Sequence, residues 1–255
     1  MIYLVVTQKD KDYIYNLLSD VYFPEDFGVN NDTNELDCDY EILSDIDSEA
    51  NVQSRYGASK YVLIDNNLSY VIKIPFDGYW ETAYVEENYE DDEDNEDIDD
   101  IDVESVFINF NNACRDSYAD NMFYANNYCE TERRLFQVMN ESGLGVFFAE
   151  TQYFDTINGK NIYLQEKVTS YVNSESGASS PLAKKLSKNF HITLQPDWIE
   201  KAIQYYGEEL TKAFIDFLST DDDIGAIITD DLHDENYGYR EDGSPCILDY
   251  SGFYN

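Results

Sequence analysis

The strongest structural constraint in the sequence is a pair of β-rich runs joined by a short polar turn. Residues 61–64 and 69–74 are rich in β-branched and aromatic side chains, and the four residues between them, DNNL, favour a turn. This pattern predicts two antiparallel strands. The second run contains Lys73 among apolar neighbours, and a lysine buried in a sheet is costly unless an anion pairs with it. We therefore expect a carboxylate or a phosphate beside Lys73.

A helical segment later in the chain supplies a candidate partner for this lysine. Residues 126–141 are predicted to form a helix, which carries Glu132 and Glu130 as candidate partners. Residues 198–218 are predicted to form a second long helix, because apolar side chains recur there at helical spacing. The other predicted elements are strands over residues 1–7, 146–149 and 161–168, a helix over residues 9–18, and a polar, turn-rich segment over residues 24–52. Together these elements predict an α+β fold with an antiparallel N-terminal sheet.

Acidic residues dominate the composition. The chain has 53 Asp and Glu against 16 Lys and Arg, and its formal net charge is −37. Because binding to nucleic-acid phosphates and anionic lipids depends on Lys and Arg, we expect no direct binding to nucleic acid or to a membrane surface. In residues 86–104, 13 of the 19 positions are Asp or Glu, which predicts an exposed insertion. The insertion lacks the glycine and the alternation of an EF-hand loop, so calcium is not the favoured ligand.

Two further features concern the location of the protein. The sequence has no run of about 20 apolar residues that could span a bilayer, and its N-terminus lacks the basic flank of a signal peptide. The four cysteines, Cys38, Cys114, Cys129 and Cys246, have no CxxC spacing, so neither a zinc site nor a disulfide framework is predicted. We therefore expect a cytoplasmic protein with reduced thiols.

The C-terminal part of the sequence contains the residues with the most informative spacing. Asp231 precedes Asn236 by five residues, and Asp249 follows Asn236 by 13 residues, on a short apolar strand. Phosphoryl transfer from a nucleotide requires a carboxylate that orients the acceptor hydroxyl. It also requires an Asn and a second carboxylate that hold magnesium against the phosphates. The three residues have the separations of a catalytic loop and its metal-binding strand.

Taken in order, these motifs resemble those of the protein-kinase-like superfamily. The form Asp-Leu-His-x-x-Asn, from Asp231 to Asn236, is closer to the aminoglycoside and choline phosphotransferase branch, and to kinase-like proteins encoded by bacteriophages, than to typical protein kinases. The resemblance covers roughly residues 54–255 and implies binding of ATP and Mg²⁺. It gives Asp231 the catalytic role and makes Asn236 and Asp249 the metal ligands.

The resemblance also implies a set of nucleotide-binding residues. Lys73 would contact the α- and β-phosphates, and Glu132 would pair with it. Gly57 lies at the place of the glycine-rich loop, and Glu166 and Val168 belong to the strand whose backbone would meet adenine as the hinge between two lobes. A phosphate-binding and an adenine-binding part are therefore both expected.

The expected organisation is a two-lobed kinase-like fold. Two features depart from the family pattern, since Thr229 stands where the family has a histidine and the segment over residues 55–60 has a single glycine. The sequence ends six residues after Asp249, so the helical C-lobe is expected to be truncated. The expected parts are a strand–helix and acidic-loop extension (1–53), an N-lobe with the acidic insertion 86–104 (54–172), and a minimal C-lobe with the catalytic loop (173–255).

Two functions from different classes are consistent with these observations. The first is a kinase-like protein that binds nucleotide and Mg²⁺, either as an ATP-dependent phosphotransferase or as a pseudokinase. The second is a non-catalytic acidic interaction protein, of the kind that phages use to imitate nucleic acid and inhibit a host factor. Such a protein would bind a basic host protein, and the charge left without the 86–104 insertion, −24, supports this alternative.

Overall fold

The protein has an α+β fold with three β-sheets. The structure is a computed structural model, and it describes residues 4–23, 26–30, 35–36, 52–57, 59–84, 103–109, 127–172, 179–188, 194–219, 228–229 and 232–250. The described strands are β1 (Gly28–Asn30), β2 (Glu35–Leu36), β3 (Val52–Tyr56), β4 (Lys60–Asp65), β5 (Tyr70–Pro75), β6 (Gly78–Tyr84), β7 (Val103–Asn109), β8 (Thr151–Ile157), β9 (Lys160–Glu166), β10 (Thr169–Ser170), β11 (Tyr237–Tyr239) and β12 (Pro245–Ile247). The described α-helices are α1 (Gln8–Leu18), α2 (Tyr128–Glu141), α3 (Pro181–Lys188), α4 (Pro196–Tyr206) and α5 (Glu208–Leu218).

The largest sheet has five antiparallel strands in the order β3-β4-β5-β9-β8. The predicted hairpin is confirmed as β4 and β5, and β5, which carries Lys73, lies in the middle of the sheet. Asn158 and Gly159 form the turn between β8 and β9, and both have positive φ, as this turn requires. The central position of β5 places Lys73 away from both sheet edges.

Helix α1 covers one face of this sheet. It begins with a capping box, in which Thr7 accepts from the Asp10 backbone and Asp10 accepts from the Thr7 backbone. Its Ile14 and Leu18 are fully buried in the first hydrophobic core, with the apolar residues of β3, β4, β5 and β9. The helix therefore supplies core residues to the central sheet.

Helix α2 belongs to two hydrophobic cores. Asn127 caps its start by accepting a hydrogen bond from the Glu130 backbone N at 2.8 Å. Tyr128 packs in the first core, whereas Leu135 and Met139 pack in a second core formed with helices α3 to α5 and strands β11 and β12. This position lets α2 connect the central sheet with the C-terminal elements.

A second sheet, in the order β2-β1-β6-β7, was not predicted. Its strand β1 pairs in parallel with β6, and Gly28 lies opposite Gly78. A Cβ at Gly28 would come within 2.4 Å of the Gly78 carbonyl oxygen, so this close approach requires glycine. Strands β6 and β7 form an antiparallel pair that ends with Tyr84 opposite Val103.

The C-terminal elements comprise a third sheet, β10-β11-β12, and the helices that pack on it. Trp198 of α4 is fully buried, and its indole N donates to the Gly238 carbonyl at 3.0 Å. This contact attaches α4 to strand β11. The β11–β12 hairpin is thereby held against the second core.

The structure corrects several expectations. The predicted helix over 198–218 is two helices, because Gly207 adopts a φ of 89° between α4 and α5. Residues 4–7 form no strand, and the expected strand over 146–149 is largely a 3₁₀ helix, Gly145–Phe147. The segment over 24–52, expected to be a loop, contains strands β1 and β2. Of the expected insertion 86–104, residues 86–102 lie outside the described residues, and residues 103–104 begin strand β7. None of the described helices has the length and apolar character that crossing a membrane requires.

Candidate functional site

Lys73 and Glu132 form an ion pair at the centre of the molecule. The Lys73 Nζ donates to Glu132 Oε2 at 2.9 Å and to Oε1 at 3.1 Å, and it lies 3.4 Å from the Leu248 carbonyl oxygen. Both side chains are buried, and Glu132 is fully so. The pairing expected from the sequence is therefore present. The alternative, Glu130, forms ion pairs with Arg133 and Arg134 instead.

A second lysine, Lys60, joins this pair and was not predicted. Its Nζ donates to Glu132 Oε1 at 2.8 Å and to Asp249 Oδ1 at 2.7 Å. Lys60 is the first residue of β4, and like Lys73 it is buried. Glu132 is thus shared by two ammonium groups.

The register of the β4–β5 hairpin explains why both lysines reach one site. Val62 lies directly opposite Lys73, and Lys60 lies opposite Pro75. Because alternate residues of a strand point to the same face, Lys60 and Lys73 are diagonal neighbours on one face of the sheet. The register of the predicted hairpin was the signal that could have identified Lys60.

Asp249 and Asn236 reach the site from the β11–β12 hairpin. Asn236 ends the 3₁₀ helix Asp234–Asn236, and its carbonyl oxygen accepts from Leu248 N at 2.9 Å and from Asp249 N at 3.3 Å. The Asn236 side chain is buried, and Asp249 keeps 26% of its side-chain surface exposed. We call Lys60, Lys73, Glu132 and Asp249 the charge cluster, and Asp249 is its most open member.

The formal charges of the charge cluster balance, with two ammonium groups and two carboxylates. Burial by itself favours the protonated acid, but Lys60 and Lys73 outweigh it and hold the pKa of Asp249 well below its usual range. Burial would also lower the pKa of Lys60, but the carboxylates of Asp249 and Glu132 outweigh it and raise that pKa above the usual range. At Glu132, burial raises the pKa against the opposing influence of the two lysines.

A polar network extends from Glu132 along the sheet. The Gln165 Nε2 lies 3.4 Å from Glu132 Oε2 and donates to the Thr151 hydroxyl at 2.9 Å. That hydroxyl lies 3.2 Å from the Tyr250 hydroxyl, which donates to the Ala149 carbonyl at 2.8 Å. Tyr250, the residue after Asp249, is thereby linked to strand β8 and, through Gln165 of β9, to Glu132 of helix α2.

The other predicted nucleotide-binding residues lie on neighbouring segments. Gly57 is exposed after β3, and its backbone N donates to the Lys60 carbonyl at 3.2 Å. Glu166 ends β9, its backbone N donates to the Glu150 carbonyl at 2.9 Å, and its side chain pairs with Arg240 at 2.8 Å. Val168 follows β9 and is half-buried. None of the three belongs to the charge cluster.

Asp231, the predicted catalytic residue, lies outside the described residues. The described chain resumes at Leu232, which is buried in the second core. The neighbouring His233 is exposed, and its Nδ1 accepts from the Glu235 backbone N at 3.3 Å, which starts the 3₁₀ helix before Asn236. His233 thus has a structural contact in the loop that carries Asn236.

Arg240 lines a cavity of about 240 Å³ next to Phe148 and Glu166. Its guanidinium donates to Glu166 and Tyr206 and to the carbonyl oxygens of Val146, Phe148 and Pro245. These contacts hold Arg240 to Glu166 and to the surrounding backbone, so the guanidinium already has an anionic partner. The charge cluster is the better candidate for a functional site.

Comparisons with known proteins found no match for this chain. No protein-family model matches the chain, and no curated protein matches it. Within the described part of the chain, no three His, Cys, Asp or Glu side chains are arranged to hold a metal ion.

Proposed function

We propose that the protein is a kinase-like nucleotide-binding protein whose lysines, Lys73 and Lys60, contact the phosphates of ATP. The observation that carries this proposal is the ion pair between Lys73, on the third strand of the five-stranded sheet, and Glu132, on the following described helix. In protein kinases, the pair of a strand lysine with a helix glutamate positions the lysine for the phosphates. Asp249 pairs with Lys60, which also contacts Glu132, and thus adds a carboxylate where the resemblance expects a magnesium ligand.

The layout of the cores supports a two-lobed form of this proposal. The first core holds the central sheet and α1, and the second holds helices α3 to α5 with the β11–β12 hairpin. Lys60 and Lys73 come from the first part, whereas Asn236 and Asp249 come from the second. A ligand held by all four would therefore lie between the two parts, as a nucleotide does between two lobes.

Asn236 and Asp249 are suitable ligands for Mg²⁺ by their chemistry. Mg²⁺ prefers oxygen ligands and is usually held by one or two carboxylates together with substrate phosphates. The hydrogen bond between the two backbones keeps these residues adjacent, and Asp249 is partly open. A bound ion would neutralise phosphate charge at this place. Transfer of phosphate would further require Asp231 to orient the acceptor hydroxyl.

Nucleotide binding can be tested by thermal unfolding in ATP and Mg²⁺. A ligand at about 100 times its Kd stabilises the native state by about 2.7 kcal/mol, which raises the Tm of a chain of this size by about 5–10 °C. Lys73→Met should abolish the rise. The matched control is Lys212→Met, which removes an exposed lysine that pairs with Glu208 on helix α5. An unchanged Tm of the wild-type protein at millimolar ATP, or a normal response of Lys73→Met, would contradict the proposal.

The proposed metal and acceptor roles predict different effects for two further substitutions. Asp249→Asn should weaken magnesium-dependent ATP binding severely, because a neutral group replaces a charged ligand of a hard cation. Asp231→Asn should leave ATP binding unchanged and lower any phosphate transfer by about 10² or more, the usual effect of a positioned acid–base group. Equal loss of ATP binding in both variants would show that the roles are misassigned.

The acidic interaction protein remains a second candidate, because at least seven of the 16 basic residues are used in internal ion pairs. With 16 basic residues against 53 acidic ones, the chain has a formal net charge of −37 however these residues pair. Such a protein should bind a basic DNA-binding protein tightly and release it with salt. Salt-resistant or absent binding to a panel of purified DNA-binding proteins would reject this candidate.

A further inference from the structure

Lys60 forms an ion pair with Asp249, the carboxylate that would bind a metal ion according to the resemblance. Its Nζ lies 2.7 Å from Asp249 Oδ1, and the same ammonium contacts Glu132 at 2.8 Å. Lys60 is nearly inaccessible to solvent, so the contact is not one of the weak, solvated pairs of a protein surface. Asp249 therefore already has a cation, and this cation is part of the chain.

The charge balance of the cluster bears on whether a metal ion can join it. The formal charges already cancel, so a divalent ion at Asp249 would add two positive charges close to the Lys60 ammonium. Repulsion at such short range is strong in a buried site, where the effective dielectric constant is well below that of water. A metal ion and Lys60 cannot share the Asp249 carboxylate at this distance without opposing each other.

We propose that Lys60 is the resident cation of Asp249 and keeps divalent metal ions off this carboxylate while the site holds no nucleotide. The Lys60 side chain is long and rotatable, and its ammonium is a compact point charge, so it can exchange one anionic partner for another. Lys60 thus does at Asp249, in the free protein, what a metal ion would otherwise do: it compensates the buried negative charge.

This inference deepens the proposed function, and its second consequence rests on that function. Nucleotide phosphates would offer Lys60 a new anionic partner, and the ammonium could then leave Asp249 open for a metal ion that arrives with the phosphates. Binding of metal and nucleotide would be positively coupled, and the coupling must be reciprocal. Metal alone would not bind at Asp249.

The test counts tightly bound Mn²⁺, as a substitute for Mg²⁺, by electron paramagnetic resonance in the absence of nucleotide. Because the chain has 53 acidic residues, the Asp249 site is obtained by difference between matched proteins. The wild type and Asp249→Asn should bind the same amount of Mn²⁺. Lys60→Met should bind one Mn²⁺ ion more than the double variant Lys60→Met/Asp249→Asn. The affinity of Asp249 for Mn²⁺ should be at least about tenfold higher in Lys60→Met than in the wild type.

Two results would overturn the proposal. One is a wild-type protein that binds one more Mn²⁺ than Asp249→Asn, and the other is a folded Lys60→Met that gains no Asp249-dependent ion. Lys60→Arg keeps the charge and should behave as the wild type. If circular dichroism shows that Lys60→Met is unfolded, Lys60→Gln, which removes the charge but keeps a polar side chain, provides the same comparison.

Repeating the count with ATP separates this inference from the proposed function. The wild type should gain an Asp249-dependent Mn²⁺ only when ATP is present, and metal should raise its affinity for ATP by the same factor. If ATP does not bind at all, the proposed function is wrong, whereas the nucleotide-free comparison still decides whether Lys60 excludes the metal.

Discussion

The substitution Glu132→Gln tests the charge cluster most directly. Glu132 has no solvent exposure, and it accepts from Lys60 at 2.8 Å and from Lys73 at 2.9 and 3.1 Å. Glutamine has nearly the same shape, so the change removes the charge and little packing. Two buried ammonium groups would then face a single carboxylate, Asp249. Removing one partner of a buried ion pair costs about 3–5 kcal/mol, because a buried charge is left uncompensated.

This loss is large enough to measure by urea or thermal unfolding. For a chain of this size, about 3–5 kcal/mol corresponds to a fall in Tm of about 6–20 °C. The matched control is Glu130→Gln on the same helix, whose ion pairs with Arg133 and Arg134 are partly exposed and contribute about 0–1 kcal/mol. Comparable losses in the two variants would refute the idea that the buried charges are mutually dependent.

A double-mutant cycle identifies charge balance as the cause. Lys73→Met alone should destabilise the protein, but in Glu132→Gln/Lys73→Met the remaining Lys60 and Asp249 balance each other. The double variant should therefore be more stable than the sum of the single losses predicts, by about 1–3 kcal/mol. Additive losses would show that Glu132 and Lys73 act independently, and the electrostatic account of the site would fail.

Three further predictions concern Asp249, Cys129 and the segment between β6 and β7. The folded pKa of Asp249 lies below its unfolded value of about 4, so its ion pair stabilises the native state above about pH 4 and loses this effect as the pH falls. The difference in unfolding free energy between the wild type and Asp249→Asn should therefore shrink in acid. Urea unfolding at several pH values measures this difference. Burial raises the pKa of the Cys129 thiol to about 12, so alkylation followed by mass spectrometry should find it unreactive until the protein unfolds. Tyr84 and Val103 are cross-strand partners, so an Asn-Gly turn can replace residues 85–102, and this change should leave the Tm nearly unchanged. The replacement removes 12 acidic residues, so the formal net charge becomes −25. A large fall in Tm would show that the segment is packed.

The predictable parts of the fold are those that depend on local patterns. The β4–β5 hairpin follows from two β-rich runs and a turn, and the need for an anion beside Lys73 follows from the cost of burying a lysine without a partner, whereas the choice of Glu132 came from the resemblance. Lys60 was missed because it was assigned to the poor glycine-rich segment, and only strand register shows that it shares a face with Lys73. The hairpin and its register are local features, whereas the contact of Lys73 with Glu132 joins residues that are 59 positions apart in the sequence.

The second sheet could not be predicted because the pairing of β1 with β6 joins segments that lie far apart in the sequence. Strand β1 pairs with β6 across about 50 residues, and the contact depends on two glycines, Gly28 and Gly78, that resemble ordinary turn residues.

The break between α4 and α5 at Gly207 could not be predicted for a different reason. Apolar spacing continues from α4 into α5, so the periodicity indicates one helix while the positive φ of a single residue divides it.

Stability alone does not explain why this chain buries a charge cluster. Replacing a buried ion pair with apolar residues of similar volume is often neutral or stabilising, so two lysines and two carboxylates are a poor way to fill a core. The chain has only 16 basic residues, yet two of its most buried, Lys60 and Lys73, lie side by side against Glu132. The most open member, Asp249, keeps 26% of its side-chain surface exposed. Binding of an anion by Lys60 and Lys73, together with binding of a cation by Asp249, would account for a charge cluster that packing and stability do not favour.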